Sequence, residues 1–278
     1  MREIPVSVKT VLDEYITLFH ERLPNMLKGF YLQGSIALDA YVEGSSDIDF
    51  IAIINRSLLV GEVEILTEIH RTIASIYPKP EMDGVYMMWE DIGKLEADDN
   101  NYLYYNGGQL SYGAYFNAIT WWILKMQGIS IVGPQPTAIN FEIDPQHLVE
   151  YVVENMNTYW AGRIEKIEQA METILQFTTE EIDVEIEWSV LGLLRQLYTL
   201  KEHGIISKLG AGEYALLHMP EEWHPIIQEA IDIRKGVDRD RFASDRERMD
   251  TALKFSKYMI DYCNRRLSFN KIGHPNSH

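Results

Sequence analysis

The stretch Ile48–Ile54, IDFIAII, constrains the fold more than any other part of the chain. A near-continuous run of apolar, mostly β-branched residues suits a strand covered on both faces, because a strand with one wet face would alternate. Such a strand needs helices on both sides of its sheet, so this region is expected to form an α/β unit.

The flanking segments fit that expectation. Val8, Val11, Leu12, Tyr15, Ile16, Phe19 and Leu23 recur every three or four residues, which predicts an amphipathic helix between Pro5 and Met26. GFYLQ reads as a short strand, SIALDAYV as a turn of helix, and EGSSD as a loop of backbone-permissive residues. A helix from about Gly61 to Ile76 should stop before YPKP, because proline disfavours helical geometry in the residue ahead of it. MDGVYMMW suits a third strand, and EADDNNYLYYNGGQLSYG is read as a polar loop before a buried helix around Trp121 and Trp122 that runs into a strand. The order expected here is helix, strand, helix, strand, helix, strand, helix.

Beyond Asp144 long helical patterns dominate. They cover Leu148–Phe177 and Val184–Glu202, the latter with Gly204 as its C-cap, then shorter helices near Glu213–His218 and Glu221–Lys235 and a last one from about Ala243 to Leu267. The tail KIGHPNSH is expected to be loose. A chain of 278 residues with 46% hydrophobic content supports two domains. The reading is therefore α+β, with an α/β domain on a small mixed sheet over residues 1–143 and an α-helical bundle over 144–278.

In a strand, Asp47 and Asp49 stand at i and i+2 and project from one face. Neighbouring carboxylates repel each other, and a divalent cation between them relieves the repulsion; hard oxygen ligands suit Mg²⁺ carrying substrate phosphates. Gly34 and Ser35 follow the preceding strand and offer an unobstructed backbone, a hydroxyl and N–H groups at a helix start, which together make an anion site. Phosphate at one end and metal at the other is an arrangement for handling a nucleotide.

Strand, Gly-Ser, helix, loop, Asp-x-Asp and buried strand, in that order, resemble the polymerase β-like nucleotidyltransferase superfamily through Gly34, Ser35, Asp47 and Asp49. The resemblance implies that the two aspartates hold two metal ions on a nucleoside triphosphate while a hydroxyl attacks the α-phosphate in line and pyrophosphate leaves. It also implies a third carboxylate on a neighbouring strand as base, a role that falls to Asp83, with Glu81 two residues earlier as the alternative. The segments EIEWSVLGLLRQLYTLKEHGIISKLGAGEYAL and MPEEWHPIIQEAIDIRKG narrow the branch. They are similar to the helical C-terminal domain of the aminoglycoside adenylyltransferases that modify streptomycin and spectinomycin. The similarity runs from about Phe30 to Tyr258 and includes IVGP at Ile131–Pro134.

This second resemblance implies an antibiotic-resistance activity, transfer of AMP from ATP to a hydroxyl of a cationic aminoglycoside with Mg²⁺, across a cleft between the two halves. Arg195 and Lys208 match residues that contact the nucleotide phosphates, Glu185 matches an acidic contact to the antibiotic, and Glu187 and Trp188 stand beside it. Two departures stand out. The family's base is normally glutamate where this chain has Asp83, and the tryptophan that stacks on streptomycin falls in YYNGGQL, which has Tyr104, Tyr105 and two glycines.

A formal charge of −17 argues against a nucleic-acid partner, whose binding needs clustered cations, and suits a cationic small molecule. Cys263 is the only cysteine, which excludes an internal disulfide and fits a reducing cytoplasm. The N-terminus does not read as a signal peptide, the most apolar window is broken by Asn117, Lys125 and Gln127, and no membrane span is expected. A monomer is expected. Two other functions remain open on the sequence: nucleotidyl transfer to a protein or RNA acceptor, and nucleotide binding by a decayed site.

Overall fold

The computed structural model describes residues 3–95, 102–113 and 117–272, with side chains to Arg265. The chain divides into two compact units, Met1–Asp144 and Pro145–His278, and is α+β. The first unit runs α1 (Val6–Arg22), β1 (Leu27–Leu32), α2 (Gly34–Ala37), β2 (Ile48–Ile54), α3 (Val60–Ile76), β3 (Met82–Met87), β4 (Tyr102–Asn106), β5 (Gln109–Gly113), α4 (Ala118–Gln127) and β6 (Ile129–Val132). Its six-stranded sheet has the order β5-β4-β3-β2-β1-β6. Among the described strands only β2 and β3 pair in parallel, joined through α3, and the other pairings are antiparallel.

Both faces of the sheet are covered, as the apolar run of β2 requires. Phe50, Ala52, Phe30 and Tyr86 pack against α1 through Val8, Leu12, Tyr15 and Phe19 and against α3 through Leu66, Ile69 and Ile73. On the other face Ile51, Ile53, Val85 and Met87 meet Trp121 and Leu124 of α4. Because strand residues alternate, Asp47 and Asp49 fall on the α4 side with Ile51 and Ile53, and Asp83 falls there with Val85 and Met87.

The stretch read as a polar loop is corrected by the structure. Residues 96–101 lie outside the described residues, but β4 and β5 form an antiparallel hairpin with Asn106 paired to Gln109. Gly107 and Gly108 both have positive φ, 54° and 78°, the geometry of a tight two-residue hairpin turn with the strands' own twist. The tyrosines of YLYYN are amphipathic: Tyr105 is buried and its ring stacks on His70 with centroids 3.6 Å apart.

The second unit is helical: α5 (Pro145–Asn155), a single π-helical turn at Met156–Trp160, α6 (Ala161–Ile174), α7 (Thr179–Glu202), α8 (Lys208–His218), α9 (His224–Lys235) and α10 (Asp245–Ile272). The turn divides what periodicity read as one helix over Leu148–Phe177. Thr178 and Glu181 form the capping box that starts α7. Its C-cap is His203, in left-handed geometry at φ 52°, not Gly204 as expected. Ile182, Ile186, Val190, Leu193 and Leu197 place α7 at the centre of the core. A polar tie crosses the bundle, with Arg248 on Asp183, Glu229 and Asp245, Arg239 on Asp183 and Glu229, and Arg241 on Asp232. Cys263 is buried, and of the tail expected to be loose, residues 273–278 lie outside the described residues while Lys271 and Ile272 end α10. No described helix is long and apolar enough to cross a membrane.

A buried hydrogen-bonded chain, Tyr15–Tyr86–His70, runs through the α1/α3 side of the first unit. Burial pushes the His70 imidazole down to about 3. The unfolded imidazole takes up its proton near pH 6.5, so the unfolded state binds more protons than the folded one between these values. Stability from this group is present above about pH 6.5 and is lost as pH falls, by at most about 1.4 kcal/mol per pH unit. Urea midpoints measured from neutral pH down to about pH 4.5 should fall more steeply for the wild type than for His70→Gln; parallel slopes would exclude His70 as the cause.

Candidate functional site

The first group of site residues gathers where β1, β2 and β3 present one end of the sheet. Gly34 opens α2 with φ +58°, and a Cβ there would lie 1.8 Å from Asp49 Oδ2. Only glycine lets the chain turn in this sense while its backbone lies against that carboxylate. The Gln33 N–H donates to the Asp49 carbonyl at 3.0 Å, fixing the turn to the strand that carries the aspartate. Asp49 and Asp83 are direct partners in the parallel β2–β3 register, on strands about 4.8 Å apart.

Asp47 is exposed just before β2, and Asp49 and Asp83 are half-buried. Burial raises the Asp83 carboxyl above its ordinary range, and the Asp47 charge pushes it the same way; a hydrogen bond donated by Asn106 Nδ2 opposes both. Three carboxylates are thus gathered on one face with a mutual repulsion that a cation would relieve. Glu81 is exposed and accepts from Lys79 Nζ at 2.7 Å.

Two buried oxygens here, Ser35 Oγ and Asp83 Oδ1, have no hydrogen-bond partner. Such atoms are costly unless a ligand or ion meets them. Among the described residues no group of three or more His, Cys, Asp or Glu side chains forms a ready-made metal cage. That does not count against magnesium, which is usually held by one or two carboxylates and completes its shell with water and substrate phosphates. The all-oxygen donors and the unmet Ser35 and Asp83 atoms fit such an ion and its phosphates.

The second group lies on α7, α8 and α9. Glu187 Oε1 accepts from Lys208 Nζ at 2.9 Å and from Arg234 Nη1 at 3.2 Å. Lys208 also stands over the Trp188 ring at 4.9 Å. Burial lowers the Lys208 ammonium below its ordinary value; Glu187 counters this, and the charges of Arg234 and Arg195 add to it. Lys208 and Arg234 thus meet on Glu187, with the charge of Arg195 near enough to act on Lys208. Lys208 is also the first residue of α8, whose positive end adds to the field.

Glu187, expected near the acceptor, is held inside this cluster. Glu185 is gripped by Arg163, and Ser189 Oγ donates to it at 2.7 Å. Trp188 is 43% exposed and donates from Nε1 to the Tyr159 hydroxyl at 3.2 Å. Sequence reasoning missed Asn106, Arg163 and Arg234. Asn106 had a signal in the Asn-Gly pair of a hairpin turn, whereas the two arginines meet their partners only through helix packing.

Residues 152–261 match the family described as the aminoglycoside adenylyltransferase C-terminal domain. No curated protein sequence matches the chain. Among solved structures it is similar to spectinomycin adenyltransferase AAD(9) from Enterococcus faecialis, determined with ATP and spectinomycin. That likeness has a TM-score of 0.64 at 16% identity and covers 91% of this chain and 99% of that one. At such identity it is a likeness of fold, and the family match falls on the bundle. The family match thus identifies residues 152–261 as a domain of the aminoglycoside adenylyltransferase C-terminal type.

Proposed function

We propose that the protein transfers AMP from ATP to a hydroxyl of a cationic antibiotic of the streptomycin and spectinomycin class. The single observation that carries the chemistry is the Gly34 backbone against Asp49, with Asp83 in register beside it and Asp47 on the same face. The family of the C-terminal domain, and the ATP and spectinomycin in the AAD(9) structure, support the choice of donor and acceptor.

In this reading Asp83 accepts the proton of the attacking hydroxyl. The hydroxyl oxygen bonds to the α-phosphorus, and the bond to the bridging oxygen breaks with its electron pair leaving on pyrophosphate. A carboxylate held above its ordinary range is a stronger base once ionised, which suits a proton transfer from an alcohol. Gly34 and Ser35 receive the phosphates, and Arg195 and Lys208 neutralise the triphosphate tail. Asp47 and Asp49 would hold magnesium, which supplies charge neutralisation at the attacking and leaving oxygens. Glu185 and the exposed ring of Trp188 offer the acceptor a carboxylate and an apolar face.

Pyrophosphate release from ATP and Mg²⁺ should appear with spectinomycin or streptomycin and not without an acceptor; no release with any aminoglycoside would remove this function. Gly34→Ala should lower kcat by about 10²-fold or more by displacing Asp49. Asp83→Asn should lower it by about 10²- to 10⁴-fold, while a loss of that size with Glu81→Gln would move the base to Glu81. Because Asp83 is raised and must be ionised, activity should fall on acidification from a pH above the ordinary aspartate range. Asn106→Ala should move that acid limb to still higher pH, as read in the pH dependence of kcat/KM.

A further inference from the structure

The face of α7 that carries Glu185 and Trp188 meets a second strip of side chains. Tyr159 and Arg163 stand four residues apart across the π-helical turn and the start of α6, and Glu185 and Trp188 stand three apart on α7. The strips pair off: Trp188 Nε1 donates to the Tyr159 hydroxyl at 3.2 Å, and Arg163 grips Glu185. Trp160 fixes the meeting, because a Cβ on Gly192 would come within 2.5 Å of its ring. We infer that Arg163 is a specificity-determining residue that admits hydroxyl-rich acceptors bearing amines and turns away acceptors that present guanidinium groups. The inference rests on the proposed acceptor contact at Glu185 and Trp188 and narrows its substrate class.

The hydrogen-bond capacity of Glu185 carries the argument. A carboxylate offers about four lone-pair sites, and three donors already occupy this one. Arg163 Nε at 3.2 Å and Ser189 Oγ at 2.7 Å are on Oε1, and Arg163 Nη2 is on Oε2. The capacity left on Oε2 suits a single N–H or O–H of a ligand. A second guanidinium needs both oxygens for its paired N–H groups. It could reach Glu185 only in exchange for Arg163, one ion pair for another, and Arg163 would then face it as a like charge.

The setting makes that repulsion count. The side chain of Arg163 is 33% exposed and that of Glu185 18%, open enough for an acceptor to touch and partly shielded from the salt that screens surface charge. Both rings of the Tyr159–Trp188 pair remain exposed, but Lys208 already stands over Trp188 at 4.9 Å, so the attraction of that ring for a cation is partly spent. A repulsive element of this kind discriminates between ligands that share every other contact. Spectinomycin bears methylamino groups and hydroxyls without a guanidinium, whereas streptomycin bears guanidinium groups on its cyclitol, so these two drugs separate the two chemistries.

The test is pyrophosphate release by the full-length protein with ATP, Mg²⁺ and either drug. The wild type should show a kcat/KM for spectinomycin at least about tenfold above that for streptomycin. Arg163→Gln removes the charge and opens the carboxylate, and should move the ratio towards streptomycin by about tenfold or more, chiefly through KM. Arg163→Lys keeps the charge and should move it by less than about threefold. Adding Glu185→Gln to Arg163→Gln should remove the gain for streptomycin, since no carboxylate is then left to meet its guanidinium. A pair that only ties the helices together would lower both drugs alike and leave the ratio where it was. Melting temperatures identify any variant that does not fold, and the preference of the wild type then decides by itself. A wild type that prefers streptomycin, a folded Arg163→Gln with an unmoved ratio, or release with another aminoglycoside and neither of these drugs would overturn the inference and leave the adenylyl-transfer reading intact. No release with any aminoglycoside would overturn both.

Discussion

The first unit is organised around the contact between a bare backbone and a carboxylate. Where Gly34 meets Asp49 there is no room for a Cβ, so the strand end, the turn after β1 and the carboxylate are positioned by one another. The register of β2 with β3 extends this to Asp83, and strand alternation extends it to Asp47. Helices on both faces hold the sheet that keeps this register. If this is the proposed centre, it needs little adjustment on binding, because the cost of bringing like charges together is met in folding.

The second unit solves the opposite electrostatic problem. The whole chain has a formal charge of −17, which opposes the approach of a triphosphate. Cations near the surface are screened by salt within a Debye length of about 8 Å, so a local excess of positive charge has to be partly buried to be effective. Lys208 and Arg234 are partly buried and both meet Glu187, with the Trp188 ring under Lys208. Elsewhere in the bundle arginines are matched by acids on α7, α9 and α10. These pairs tie α7, α9 and α10 to one another.

Much of this was legible in the sequence wherever the determinant was local. The run IDFIAII required a sheet covered on both faces, and the order of Gly34, Ser35, Asp47 and Asp49 marked the turn and the strand end. The hairpin was lost because Tyr102, Tyr104 and Tyr105 are amphipathic, and counting them as polar hid the strand character around Asn106-Gly107. The π-helical turn at Met156–Trp160 was illegible to a 3.6-residue period, which shifts phase across the extra residue. Left-handed geometry at His203 went against the preference for glycine. Arg163 and Arg234 were invisible for a different reason: their partners lie on other helices, 22 and 47 residues away in the chain.

The hairpin β4–β5 lies at the margin of the sheet, yet its Asn106 reaches the proton-accepting aspartate of the proposed reaction. The carboxylates are confined by the sheet interior and tolerate little change, whereas a rim hairpin accepts substitutions cheaply. The working acidity of the centre can therefore be retuned from its periphery. An engineer seeking a different pH range would begin with the turn at Asn106 and leave the aspartates untouched.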